Sequence, residues 1–507
     1  MTFNSIDFLI FFPVVTGIYF VIPRRLRYLW LLISSYYFYM AWNPKYALLI
    51  AFSTVATYAC SLALDHLHKK GTAVQQRKWV LAACVLINLG ILALFKYGNF
   101  FLENMQRLLS MAGFSPSGRR LDLLLPVGIS FYTFQALSYT FDVYKGKISA
   151  EKNLLRYALY VSFFPQLVAG PIERSTSLLP QIRNVEKIDV WDLDRVRDGY
   201  MLMLWGLFQK LVIADRMSIF VETVVNSWQD YGFLEIGVAA VFFAFQIYCD
   251  FGGYTNIARG AAMVMGFHLM NNFSQPYLAE NIKDFWRRWH ISLTTWFTDY
   301  LYIPLGGNRK GTLRKYLNIL IVFGVSGLWH GASWNYVVWG LLHGFYRIMG
   351  ELRSTLIAKF SRLRKATRME AQSKAKTVGS KDSLLSIRRL YHIAATFILV
   401  DFGWIFFMSG NLTRALALIR QMFTRLQGIG FRSSGLGKID LICLLFGLAI
   451  LLAVDILHEK GISVFTAVSR KPVWMRWGLY MGLLWATIML RVYGDVFDNS
   501  TFIYFQF

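Results

Sequence analysis

The chain predicts an all-α polytopic membrane protein, with roughly 11–13 transmembrane or re-entrant helices and further helices lying at the interface. Three observations lead there. Hydrophobic residues make up 56% of the 507 positions and charged residues only 16%. Apolar runs of about 15–20 residues recur along the chain, close to the length that crosses a hydrocarbon core. The basic excess, a net charge of +24, falls in short loops between those runs. That is the positive-inside pattern, not the basic face of a nucleic-acid binder. Cys60, Cys84, Cys249 and Cys443 are scattered among apolar neighbours, as small core residues and not as a disulfide framework or metal site.

The first run, 8–22, is preceded by Asp7 and followed by Arg24, Arg25 and Arg27. A cleavable signal has the reverse order, so this run should stay in place with its N-terminus outside the cytoplasm. Runs at 28–42 and 46–64 are joined by the turn Asn43-Pro44-Lys45. The loop bearing Lys69, Lys70, Arg77 and Lys78 then falls by parity on the side of Arg24. A fourth run covers 80–95, and 96–120 reads as amphipathic, surface-lying helix on the outer side. The run 121–141 is dense in Ser130, Tyr132, Thr133, Gln135 and Ser138, which in lipid face other helices or a wet cavity. Residues 159–168 are too few to span and stop at Ala169-Gly170-Pro171, as a re-entrant segment or a helix end would.

Runs at 200–213 and 238–248 follow. Asp250-Phe251-Gly252-Gly253-Tyr254 then interrupts the helical pattern, reading as a capped helix start with Asp250 at the N-terminus or, alternatively, as cavity lining. Residues 266–311 are too polar and broken for spanning, and read as short helices and loops against the cytoplasmic face. The basic stretch 347–389 reads as a flexible cytoplasmic loop within a single integral-membrane domain, 1–507. Runs at 392–408, 441–457 and 474–490 close the chain and place the C-terminus outside. Its last residues, Phe502-Ile503-Tyr504-Phe505-Gln506-Phe507, are too apolar for a soluble tail. They should bury themselves, either as an aromatic-belt anchor or by inserting into an outer opening.

Two histidines carry the chemistry on offer. Phe285-Trp286-Arg287-Arg288-Trp289-His290 mixes indole with guanidinium, as an interfacial helix does. His330, in Ser326-Gly327-Leu328-Trp329-His330-Gly331, lies between apolar runs, where an ionisable side chain is costly and marks a functional site. A buried histidine is pushed towards the neutral state that a general base needs; the plainer alternative is a structural histidine hydrogen-bonded within the bundle. His343, thirteen residues on, would lie about 140° away round an unbroken helix and is not placed in the same site. No Walker motif, dinucleotide fingerprint, Gly-x-Ser-x-Gly or His-Glu-x-x-His is present. A transporter or flippase, which needs no general base, is the rival class.

Arg288-Trp289-His290 and Leu328-Trp329-His330-Gly331 resemble the bacterial branch of the membrane-bound O-acyltransferase (MBOAT) family, of the alginate O-acetyltransferase type. Met1-Thr2-Phe3-Asn4-Ser5, Pro126-Val127-Gly128-Ile129-Ser130-Phe131, Val168-Ala169-Gly170-Pro171-Ile172 and Asp250-Phe251-Gly252-Gly253-Tyr254 extend the likeness over nearly the whole chain. The resemblance implies helices around a central cavity, with His330 as the catalytic base and His290 as the second histidine, orienting the acyl group or stabilising an oxyanion. Tyr504 becomes a possible acyl relay. Trp329, Trp289, Arg288, Ser326 and Asp250 become candidates for lining the cavity or holding the donor. It implies no metal and no bound cofactor, and an acyl donor that is acetyl-CoA or another acyl thioester. It further implies a polysaccharide acceptor and an extracytoplasmic SGNH-hydrolase-like acetyltransferase partner, at a bacterial inner membrane. D-alanyl transfer to teichoic acid is the alternative within the family.

Overall fold

A computed structural model describes residues 1–114, 118, 120–368, 386–426, 428, 430, 435–493 and 502. Among them there is helix and no strand. The N-terminal part comprises α1 (Ile6–Val21), α2 (Arg27–Met40), α3 (Pro44–Lys69), α4 (Val74–Leu92), α5 (Gly98–Met111) and α6 (Ile129–Tyr144). Three short helices follow: α7 (Leu154–Ser162), α8 (Phe164–Leu167) and α9 (Ser175–Arg183). Next come α10 (Leu193–Phe208), α11 (Asp215–Asn226), α12 (Phe233–Val264), α13 (Ile282–Arg288) and α14 (Ile291–Phe297). The remainder is α15 (Thr312–His330), α16 (Trp334–Arg368), α17 (Ile387–Met408), α18 (Leu412–Thr424), α19 (Lys438–Glu459), α20 (Val464–Ser469) and α21 (Val473–Met489).

Five helices are long and apolar enough to cross a membrane: α3, the continuous stretch Val74–Met111, α12, α17 and α19; α1 is a shorter apolar helix. The protein is multi-pass. Local chemistry sets the helix starts. The Ser5 hydroxyl accepts from the Phe8 amide at the head of α1, and Asn43 caps α3 with Pro44 in its first turn. The polar run of α6 faces protein: Ser130, Tyr132, Thr133, Gln135 and Ser138 are all buried. Gln135 donates to the Tyr160 carbonyl of α7 at 2.5 Å. Residues 157–173 are buried throughout, so the backbone of α7 and α8 is covered by protein, as non-spanning helix at membrane depth requires.

Several sequence expectations change. The fourth run does not end in surface-lying helix at residue 96. A π-helical turn, Ala93–Tyr97, carries α4 into α5 and turns Lys96 inwards. The fifth run begins at Ile129, not 121, because Gly128 takes a left-handed φ of 75° and a Cβ there would lie 2.6 Å from the Leu167 carbonyl. Asp250 starts no helix. It lies inside the unbroken, 32-residue α12, and its carboxylate meets Lys210 Nζ at 2.6 Å. The glycines beside it mark a helix crossing. A Cβ on Gly253 would fall 2.6 Å from the Gly206 carbonyl, and one on Gly260 would fall 2.5 Å from that of Gly199. Two small residues seven apart on each helix thus let the α10 and α12 backbones touch. The basic stretch 347–389 is helical as far as Arg368 within α16, and 369–385 lie outside the described residues. Trp286 and Trp289 are both buried within the protein, because α13 packs on α16 and α17.

Candidate active site

The apolar run around His330 is a hairpin, not a span carried through the residue. A Cβ on Gly327 would strike the Tyr336 carbonyl and one on Gly340 the Phe323 carbonyl, so α15 and α16 cross in backbone contact. Gly331 leaves α15 in extended conformation. His330 is therefore the last residue of α15, at the hairpin tip, and only 3% exposed. Its ring lies 5.1 Å from that of Trp339 and 5.3 Å from that of Phe407, centroid to centroid.

His290 arrives from the opposite wall. It separates α13 from α14 in a left-handed conformation, φ 42° and ψ 55°, which a residue with a Cβ rarely adopts. Asn272, fully buried, holds that turn. Its carbonyl accepts from the Ile291 amide at 2.9 Å, its side-chain oxygen accepts from the Ser292 amide at 3.3 Å, and its amide donates to Thr255 on α12 at 3.2 Å. The imidazole is thereby set 4.7 Å from Phe251 and 6.4 Å from the ring of His330.

One cavity touches His330, and a second lies two rings from His290. The smaller, of about 90 Å³, is lined by His330, Trp329, Lys96, Ser130, Trp42 and Pro126 among others. Trp42 follows the end of α2 opposite Arg27, so this cavity lies away from the Arg24–Arg27 side. The larger, of about 350 Å³, is lined by Asp198, Arg259, Met263, Phe273, Asp455 and His458 among others. The carbonyl of Met263 is bonded by Arg195, and Arg27 bonds the carbonyl of Ile188, so this cavity lies at the basic end of the bundle. Phe273 on its wall meets Phe251 at 5.2 Å, and Phe251 meets His290. The smaller cavity thus reaches His330 directly, and the rings of Phe273 and Phe251 part the larger one from His290.

The other expected residues divide. Trp329 lines the smaller cavity, and Ser326 is buried one turn before His330. Trp289 is buried 5.1 Å from Trp404. Arg288 serves a clamp: it bonds Glu459 at 2.6 Å and Asp284 at 2.9 Å, while Arg389 reaches the same Glu459 at 2.7 Å. Asp250 and Asp215 share Lys210. His343 is buried beyond Trp339, 5.1 Å from it, and its Nδ1 accepts from Trp286 at 3.3 Å. Tyr504 lies outside the described residues. Sequence reasoning missed Asn272 and Lys96. Nothing local marks Asn272, but Lys96 sits in an apolar, aromatic run and breaks the same rule that exposed His330.

No group of three or more metal-ligating side chains occurs among the described residues. A multi-helix membrane bundle that holds two buried histidines beside a cavity is the frame of an integral-membrane transferase. The family described as MBOAT, membrane-bound O-acyltransferase, matches residues 148–378. Over 433 residues the chain is 35% identical to the probable alginate O-acetylase of Pseudomonas aeruginosa, covering 84% of this chain and 75% of that one. It is 32% identical to the peptidoglycan O-acetyltransferase of Helicobacter pylori, covering 78% and 73%. Its likeness to the teichoic acid D-alanyltransferase of Bacillus subtilis is more distant, 27% over 44% of this chain and 58% of that one. The chain belongs to the membrane-bound O-acyltransferase family and is an O-acyltransferase.

Proposed function

We propose that this protein takes an acetyl group from a cytoplasmic thioester, acetyl-CoA or an equivalent, and passes it across the inner membrane for O-acetylation of an extracytoplasmic polysaccharide. The observation that supports the reading is the pairing of His290 and His330, 6.4 Å apart, with one cavity touching His330 and a second lying two rings from His290. A donor entering from the basic end and an acceptor entering from the other then meet at the histidines. Acetyl is favoured over D-alanyl because the acetylating relatives match about four-fifths of the chain and the D-alanylating one less than half.

In this reading His330 takes the proton of the attacking hydroxyl. The oxygen bonds to the thioester carbonyl carbon, the carbon–sulfur bond breaks, and the proton goes to the leaving thiolate. His290 orients the acyl group or stabilises the oxygen as it gains charge. If the hydroxyl is that of Tyr504, the product is an aryl ester, a better acyl donor than a sugar ester, and one long transfer becomes two shorter ones. A separate SGNH-hydrolase-like acetyltransferase outside the membrane completes delivery. His330→Gln, purified in detergent and supplied with acetyl-CoA, should consume thioester about 10²–10⁴-fold more slowly. Consumption at the wild-type rate would remove His330 as the base and reopen the transporter reading.

A further inference from the structure

The last turn of a helix leaves carbonyls with no amide to bond, and its end carries partial negative charge. At α15 those carbonyls belong to the residues of the site. Tyr97 donates its hydroxyl to the Leu328 carbonyl at 3.0 Å. Lys96 Nζ donates to the Trp329 carbonyl at 2.6 Å and to the His330 carbonyl at 3.4 Å, and lies 3.4 Å from the Ser130 hydroxyl. Both side chains come from the π-helical turn Ala93–Tyr97, more than 230 positions away in sequence. Such turns are rare inside helices and recur at functional sites. Here the turn aims two consecutive side chains at one helix end.

As a cap alone, the lysine is an expensive choice. Its hydrogen bonds among the described residues go to two carbonyls and a hydroxyl, and none goes to a carboxylate. Lys96 is half-buried, and an ammonium partly taken out of water without a counter-charge costs more than a neutral donor would. Asn or Gln caps a carbonyl at lower cost, so the charge itself calls for an explanation. Its surroundings supply one. Lys96 and His330 line the same cavity of about 90 Å³, and attack on an acyl carbonyl places developing negative charge on oxygen.

We propose that Lys96 positions His330 by clamping the end of α15, and that its ammonium lends positive charge to the oxyanion that forms in the cavity they share. This rests on the acyl-transfer reading above. Among the described residues Lys96 is the lysine that lines this cavity, and its charge is what distinguishes it from a passive cap.

The test compares wild type, Lys96→Met and Lys96→Gln, purified and supplied with acetyl-CoA, with thioester consumption expressed per folded protein and melting followed in parallel. Both variants should show kcat lower by about 10²-fold, with KM for acetyl-CoA within about 2-fold of wild type. Lys96→Met should melt within a few degrees of wild type, since the hydrogen bonds lost at the end of α15 are offset by shedding a half-buried charge with no carboxylate among its partners. A wild-type kcat in either variant overturns the proposal. So does a Lys96→Met protein that melts several degrees lower while Lys96→Gln restores both melting and rate, the signature of a cap. If wild type itself leaves acetyl-CoA untouched, the donor reading fails on that arm. The melting arm then decides for Lys96: melting of Lys96→Met within a few degrees of wild type, or above it, supports a role for the charge beyond the fold, and melting several degrees lower overturns it.

Discussion

The imidazoles of His290 and His330 lie 6.4 Å apart, centroid to centroid, with their planes turned by 61°. They are forty positions apart in sequence, with α14, a π-helical turn (Thr298–Tyr302) and the rest of α15 between them. The two rings reach the pair differently, one on a strained turn and one at a helix end.

That difference makes His290 separable from its backbone. Asn tolerates the left-handed region, whereas a β-branched residue there costs about 1–2 kcal/mol. His290→Asn should therefore melt near wild type but transfer acetyl at least about tenfold more slowly. His290→Val should lose stability as well. Full activity in the Asn variant would reduce His290 to a turn former.

The α10–α12 crossing has no room for a side chain. Gly253→Val or Gly206→Val would push a Cβ to about 2.5 Å from a facing carbonyl, and overpacking of this kind costs about 1–3 kcal/mol or more. Gly17 in α1 has nothing within 4 Å of its Cβ position. Gly17→Ala should thus stabilise by about 0.5–1 kcal/mol. Thermal unfolding in one detergent compares them, and equal melting of Gly253→Val and Gly17→Ala would refute the close crossing.

Lys210 stands between Asp250 at 2.6 Å and Asp215 at 2.9 Å, all three buried. Removing the cation alone takes the shared positive charge from two buried carboxylates, and Lys210→Met should cost about 3–5 kcal/mol. Adding Asp250→Asn and Asp215→Asn to it should recover much of that loss. A triple variant no more stable than the single one would mean the three side chains do not act as a unit.

Phe502 is buried, its ring edge-on to Tyr254 at 5.0 Å and 4.8 Å from Lys210 Nζ; Phe251, one helical turn from Tyr254 on α12, meets His290. The described part of the C-terminal segment therefore enters the core. Tyr504→Phe keeps the aromatic ring and removes only the hydroxyl. If Tyr504 carries the acyl group, that variant should leave the glycan unacetylated by mass analysis while folding normally; full acetylation would leave it an anchor.

The proposed orientation puts both termini outside and the basic stretch 347–389 in the cytoplasm. Ser500→Cys should react with a membrane-impermeant thiol reagent in intact cells, and Ser373→Cys only after the membrane is opened. The opposite pattern would invert the direction of transfer.

Sequence alone determined the class of molecule. Apolar runs, basic loops and the cost of a histidine among apolar residues are local properties, so they show without a partner in view. The helices α1, α2, α3, α17, α19 and α21 start and stop within a few residues of the expected runs, because burial in lipid demands an apolar face all round. Where helices bury against one another, the tertiary structure decided. Asp250-Phe251-Gly252-Gly253-Tyr254 reads locally as a break, yet it runs through α12, since its glycines answer those of α10 and its acid answers Lys210. The apolar runs on either side of His330 read as two segments, and Gly327 and Gly340 pack them together as a hairpin. Lys96 was visible as a charge among aromatics, but its reason, the open end of α15, lies more than 230 residues away. A residue's cost can be read in its neighbours along the chain; what repays that cost is a contact, and contacts exist only once the chain has folded.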